Sequence, residues 1–278
     1  MDFKRILTIQ DISCVGQCSL TVALPIISAC GVETSVLPTA VLSTHTGGFT
    51  GFTFRDLTDD IPDIKKHWQK EGITFDALYT GYLGSTKQVA YVAEVLDTMG
   101  NEKSVKIVDP AMADGGKLYY GFDGEFVAAM RNLIPRADYL LPNITEACFL
   151  TGVPFEERHD REFCEMLIKK LYDKGAKNVI LTGESFEEGK TGFVFYDGRD
   201  FSDYSHEKIS GSCHGTGDIY ASAFTGALMN GRDAHTSAKI AADFVVEAIK
   251  CTQQDPSHKY GARFEPVLYK LCEMVKGE

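Results

Sequence analysis

The chain has 278 residues, 44% hydrophobic and 24% charged, with a formal net charge of −11. That composition suits a packed α/β domain over residues 1–278 and excludes a disordered chain, and the acidic balance argues against nucleic acid as a partner. No apolar run is long enough to span a membrane, and Met1-Asp2-Phe3-Lys4-Arg5-Ile6-Leu7 leads into a strand-like segment without a signal peptide's apolar region, so a cytoplasmic protein is expected.

Short apolar runs alternate with longer helical patterns. Arg5–Ile9 reads as a strand, Leu20–Cys30 as a helix ending at Gly31, and Glu33–Leu37 and Ala77–Tyr79 as strands. Thr86–Met99 carries Val89, Val92, Ala93 and Leu96 at helical spacing and is expected to stop at Gly100. Val105–Val108 is a further strand. Tyr139–Leu141 and Asn178–Leu181 follow as strands, with helix Glu162–Tyr172 between them. Phe193–Tyr196 reads as an added antiparallel edge strand, and the last third as helices Ile219–Met229, Ala234–Ile249 and Pro266–Val275. This β-α-β alternation implies a three-layer α/β/α fold: a mostly parallel sheet with helices on both faces. Ligands of such sheets bind beyond the carboxyl ends of the strands. The loops there are polar and glycine-rich: 10–17, 39–51, 81–85, 109–116, 142–146 and 182–184. The eight cysteines are scattered without a C-x-x-C pair, which fits reduced thiols rather than a zinc site.

Two segments invite a phosphate-binding reading. Gly183-Glu184-Ser185-Phe186-Glu187-Glu188-Gly189-Lys190-Thr191 imitates a P-loop, but its spacer is one residue too long, it carries three glutamates, and a strand follows it. A P-loop must open a helix to aim amides at phosphate, so an exposed turn is expected here. Ser212-Cys213-His214-Gly215-Thr216-Gly217-Asp218 has the right context, because an apolar helix follows. Its glycines leave several N–H groups free at a helix N-terminus, an anion hole. A plain N-cap explains the glycines and Asp218 equally well. A carboxylate beside bound phosphate needs a further role, however, and taking the proton of an attacking hydroxyl is one. Asp109, at a strand end, and Asn143 with Glu146, three apart, add hard oxygen donors suited to Mg²⁺; singly they read as a turn residue and a capping pair.

Gly215-Thr216-Gly217-Asp218, Asn143-x-x-Glu146 and Asp109-Pro110-Ala111-Met112 resemble the ribokinase-like superfamily. Ile9-Gln10, Thr39-Ala40-Val41-Leu42-Ser43-Thr44-His45-Thr46-Gly47 and Gly81-Tyr82-Leu83-Gly84-Ser85 resemble the pyridoxal kinase family more narrowly. The resemblance runs over nearly the whole chain. It implies ATP-dependent phosphorylation of the 5′-hydroxymethyl group of pyridoxal, pyridoxine or pyridoxamine, with Mg²⁺ and ATP and as a homodimer. It makes Asp218 the base and Gly215, Thr216 and Gly217 the anion hole. Asp109 and Glu146 would organise Mg²⁺, and Asn143, Thr182, Gly183 and Thr216 would meet the nucleotide. His45, Thr46 and Tyr82 would line the pyridine pocket.

Asp11 stands where the family often has serine after Ile-Gln, and Leu141 where a polar residue commonly precedes Pro-Asn. Asp11 is expected to touch the substrate, pairing with a ring nitrogen or phenolic O–H, unless it faces water. Asp114-Gly115-Gly116-Lys117 resembles the family's flap over ATP. Cys213 abuts the anion hole, where a helix N-terminus lowers a thiol pKa; it is expected either as a substrate-side thiol able to add to the aldehyde of pyridoxal or as a packing residue. Two competing readings remain. Hydroxymethylpyrimidine kinases share the fold but commonly carry cysteine in place of Asp218. A non-catalytic vitamer carrier would need neither Asp218 nor the metal ligands.

Overall fold

The computed structural model describes residues 3–210 and 213–277. Ser212, which opens the glycine-bearing stretch, and the Met1-Asp2 start lie outside them. In chain order the elements are β1 (Arg5–Ser13), α1 (Leu20–Ala29), β2 (Glu33–Leu42), β3 (Phe54–Asp56), α2 (Ile61–Lys70), β4 (Phe75–Thr80), α3 (Thr86–Thr98) and β5 (Gly100–Val108). Then come β6 (Ala113–Asp114), β7 (Lys117–Leu118), α4 (Gly124–Met130), β8 (Tyr139–Leu140), α5 (Ile144–Thr151), α6 (Arg161–Asp173) and β9 (Val179–Thr182). The chain continues with β10 (Lys190–Tyr196), β11 (Phe201–Glu207), α7 (Thr216–Met229), α8 (Ala234–Gln253) and α9 (Leu268–Lys276).

One nine-stranded sheet runs β11-β10-β9-β8-β5-β4-β1-β2-β3. Its six inner strands, β9 to β2 in that order, are parallel; β3 at one side and β10 and β11 at the other are antiparallel. Alternate side chains leave opposite faces of a strand, and the core divides accordingly. Leu7, Ile9, Leu78, Val108 and Leu181 pack on one face with Ile61, Val92, Leu96, Leu167 and Ile168 from the helices α2, α3 and α6. Ile6, Ala77, Tyr79, Ile107, Ile180 and Phe193 pack on the other with Val22, Ile26, Phe224, Phe244 and Leu271 from α1, α7, α8 and α9. The expected three-layer α/β/α fold is present, and it gathers the β1, β4, β5, β8 and β9 loops at one sheet edge.

Four details depart from the sequence reading. Gly100 does not cap α3; Met99 does, and Gly100 begins β5 opposite Phe75. Phe193–Tyr196 is antiparallel but not at the edge, because β11 pairs outside it in full register. Helix α2 went unread because its sequence is mostly polar, with only Ile61 fully buried. Helix α4 was also missed; Asp123 caps it by accepting from the N–H groups of Glu125 and Phe126.

Candidate active site

Of the helices that begin at this sheet edge, α5 and α7 open on the same cleft, and their first turns differ. Helix α5 starts directly after β8 and is closed by its own side chains. Asn143 Oδ1 accepts from the Glu146 N–H at 2.9 Å, and Glu146 Oε2 accepts from the Asn143 N–H at 2.9 Å. This reciprocal pair is the capping box. The other Glu146 oxygen accepts from the Met112 N–H at 3.0 Å, while Asn143 Nδ2 donates to the Ala113 carbonyl at 2.8 Å. The Gly115–Gly116 hairpin turn is fastened to the same helix, with the Gly116 N–H donating to Thr145 Oγ1 at 3.0 Å.

Helix α7 has no such closure. Its N-cap is Gly215, at φ 79°, and no side chain among the described residues caps the turn. Gly215 is required by the fold: a Cβ there would stand 1.7 Å from the Gln17 carbonyl oxygen. Gly217 is not, because a Cβ there would meet nothing within 4 Å. The bare first turn therefore faces open space. That space is a cleft of about 390 Å³, bounded by Asp109, Asp114, Asn143, Glu146, Thr182, Gly183, Thr191, Gly192, Lys208 and residues 215–218. Thr182 is fixed at its rim, its N–H donating to the Pro142 carbonyl at 2.9 Å and its hydroxyl at 3.3 Å.

The acids at the cleft are buried more deeply than their charge favours. Asp109 is 8% exposed and Glu146 2%. Burial, then Glu146 and Asp218, hold the Asp109 carboxyl well above its usual range. Burial raises Glu146 to about 7 against the pull of the amides of Asn143, Met112 and Ala113. Burial, helped by Asp11, raises Asp218 to about 7, opposed by the backbone amide of Ser19. Ser19 is the one non-glycine residue with positive φ among the described residues, at 55°. That unfavourable backbone angle turns the start of α1 towards the first turn of α7.

A second group of buried side chains lies on the Asp11 side of Asp218. Asp11 is 4% exposed and accepts from the Ser13 hydroxyl at 3.1 Å. Tyr82 stacks on Phe122 at 5.5 Å, and its hydroxyl is raised to about 12 by burial and by Asp11. His45 is 3% exposed, edge-on to Phe49 at 4.9 Å and 5.4 Å from the His214 ring. Burial and His214 lower its pKa, and neither ring nitrogen has a partner. Thr46 is exposed on the same loop.

The phosphomethylpyrimidine kinase family profile matches residues 24–265. The chain belongs to that family. It is 33% identical over 222 residues to the hydroxymethylpyrimidine/phosphomethylpyrimidine kinase of Bacillus subtilis, covering 77% of each chain. It superposes with a TM-score of 0.92 and 36% identity on a Bacteroides thetaiotaomicron protein that carries the phosphomethylpyrimidine kinase name and was crystallised with pyridoxal, covering 97% of this chain and 96% of that one. The pyridoxal kinase of Lactobacillus plantarum superposes at 0.91, with 30% identity and 99% of both chains. The ADP complex of Staphylococcus aureus pyridoxal kinase superposes at 0.78, with 25% identity, 90% of this chain and 89% of that one. The fold is thus that of the pyridoxal kinases in the ribokinase-like superfamily, and the protein is a kinase of the pyridoxal and hydroxymethylpyrimidine kinase family.

Within this family frame, Asp109, Asn143, Glu146, Thr182, Gly183 and Gly215–Asp218 converge on one cleft, as the sequence suggested. Of the two expectations for Cys213, the structure fits the packing residue. Its thiol pKa is raised by burial rather than lowered, and it packs beside Thr252 against the core that α7 and α8 share. The false P-loop is an exposed turn at Glu187–Gly189, yet its ends, Gly183 and Thr191, line the cleft. Glu184, one of its three glutamates, is turned inward onto His159 Nε2 at 2.6 Å. Sequence reasoning missed Cys18 and Ser19, beside Asp218 and Asp11. It also missed Tyr79, whose buried hydroxyl feels Asp109 and Asp218, and Tyr119, raised well above its usual range by burial and by Glu146, Asp109, Asp114 and Asp218. Only the short Cys-Ser-Leu start of α1 could have pointed to Ser19, as a cap.

Proposed function

We propose that the protein phosphorylates the 5′-hydroxymethyl group of a B6 vitamer from ATP. The observation that carries this reading is Asp218 in a first turn capped only by Gly215, at the cleft and beside the buried Asp11. Phosphate in the cleft meets the amides of Gly215, Thr216 and Gly217, and a hydroxyl presented from the side of Asp11 meets the carboxylate. Asp218 takes the hydroxyl proton as the oxygen attacks, and the amides hold the charge that grows on the transferring group. A carboxyl raised to about 7 is matched to that task near neutral pH.

The cleft presents Asp109, Asp114, Glu146 and Asp218 against one lysine, Lys208. A triphosphate enters such a field only with cations. Asp109 and Glu146 are hard oxygen donors whose charge is poorly solvated, so they fit Mg²⁺. The Glu146 oxygens already accept backbone N–H groups, which favours holding the metal through its water. When bound, Mg²⁺ neutralises and polarises the phosphates. Asn143, Thr182 and Gly183 line the nucleotide side, and His45, Thr46, Tyr82 and Asp11 the ring side.

A second reading, hydroxymethylpyrimidine phosphorylation, draws on the Bacillus subtilis relative. The aspartate at 218 and the pyridoxal-bearing Bacteroides structure favour the vitamer. Turnover of pyridoxal, pyridoxine, pyridoxamine and hydroxymethylpyrimidine with Mg-ATP tests the choice. A kcat/KM highest for hydroxymethylpyrimidine would reverse it, and no turnover of any would leave a carrier.

A further inference from the structure

The Asp11 carboxylate has no cation to answer it. It lies where β1 and β2 change register: Gln10 faces Pro38 but Ile12 faces Val41. The extra residue on β2 lies opposite Asp11, which ends 4% exposed. It accepts from the Ser13 hydroxyl, and the Ser19 hydroxyl also supports it. The ionisable groups that feel Asp11 are Tyr82, Cys18 and Asp218, all acids. Among the described residues it forms no ion pair. An ionised carboxylate so placed is costly unless a positive partner arrives.

An independent observation also points to a ligand on this side of Asp218. His45, 3% exposed, leaves both ring nitrogens without a partner. Its ring lies against Gly16, where a Cβ would come within 2.1 Å of Nδ1, in the loop joining Ser13 to Ser19. The residues that hold Asp11 and the unpartnered imidazole thus border the same loop. His45 cannot supply the missing charge, because burial and His214 disfavour its protonated form.

We propose that Asp11 pairs with the 4′-ammonium of pyridoxamine and thereby ranks the vitamers. This rests on the B6 kinase reading above. The ring nitrogen is common to all three vitamers, so pairing with it would not rank them. Only pyridoxamine brings a side-chain amine that is already charged at neutral pH. A charge-assisted hydrogen bond in a buried site therefore favours it over pyridoxine, whose 4′-hydroxyl is neutral.

The test measures kcat/KM and ATP-free dissociation constants for pyridoxamine and pyridoxine, in wild type and Asp11→Asn. Asparagine keeps the shape and still accepts from Ser13. Wild type is expected to favour pyridoxamine, and Asp11→Asn to reduce that preference by roughly 10–100-fold. Nucleotide affinity and melting temperature should hold or rise, since a buried charge is removed. Equal changes for both vitamers, or none, overturn the proposal. Turnover of neither by wild type defeats the kinase reading itself, a different result from turnover of both without preference.

Discussion

Helices α5 and α7 leave the same edge of the same sheet, and only one is finished by its own side chains. At α5 Asn143 satisfies the orphan amide of Glu146, and the Glu146 carboxylate is consumed by backbone N–H groups. At α7 the cap is a glycine without a side chain, and the acid, Asp218, is not spent on its own turn. A helix N-terminus carries partial positive charge and unsatisfied donors. Where the protein closes it, the acid is structural first. Where the protein leaves it open, both donors and acid remain for a ligand. The glycines make the same distinction: Gly215 has no room for a Cβ, while Gly217 has room that the fold does not use.

Replacing Asp218 should produce the largest loss. Asp218→Asn keeps shape and capping capacity but removes the base, and such a loss typically costs ~10²–10⁴ in rate. Melting temperature and Mg-ATP affinity should hold. A variant retaining more than about a tenth of wild-type kcat, with chemistry rate-limiting, would show that Asp218 is not the base. Gly217→Ala comes next. It should stabilise the helix by ~0.4–1 kcal/mol and yet lower kcat/KM, by up to the ~10² seen on losing an anion-hole donor. Thermal melts and kinetics on one preparation check both halves; undiminished activity would mean that phosphate does not approach that backbone.

Glu146→Gln should invert the pattern of Asp218→Asn. A glutamine must set an NH₂ group against either the Asn143 or the Met112 N–H, leaving a buried donor unsatisfied at ~1–3 kcal/mol. Its melting temperature should therefore fall even without ligands. pH separates the states further. Asp218 rises to about 7 on folding, so between the ordinary carboxylate range and about 7 the folded chain holds more protons than the unfolded one. Stability of the ligand-free protein must then decline as pH rises through that window and flatten above it. Asp218→Asn should make the decline shallower. Melts from pH 5 to 8 decide this, and a wild-type profile rising over that window would refute it.

The sequence carried the sheet and the cleft because both depend on local signals. Strand cores such as Ile6–Ile9 are apolar runs, and the cleft residues sit in short strand-to-helix loops whose identities are themselves the motif. Helix α2 was hidden because it is short and mostly polar, with only Ile61, Ile64 and Trp68 on its apolar face and Ile61 alone fully buried. Ser19 and Tyr79 were hidden for another reason. Their relation to Asp218 is created by tertiary approach, of α1 to α7 and of β4 to the acids, which no spacing along the chain records.

Cys213 should give the smallest effect, and it tests how far the open end of α7 reaches. Sequence position alone put this thiol beside the anion hole, where helix charge would lower its pKa. In the folded chain it does not line the cleft but packs beside Thr252 and the α7–α8 core, and burial raises its pKa. A thiol held protonated and turned inward is a poor nucleophile towards the aldehyde of pyridoxal. Cys213→Ala should leave kcat/KM for pyridoxal and pyridoxine within about twofold of wild type, and remove about one buried group's worth of packing, ~1 kcal/mol or less. The absorbance of bound pyridoxal should be identical in the two proteins. A spectral difference for pyridoxal with none for pyridoxine would show that the thiol reaches the aldehyde, and the open region would then extend one turn beyond Gly215.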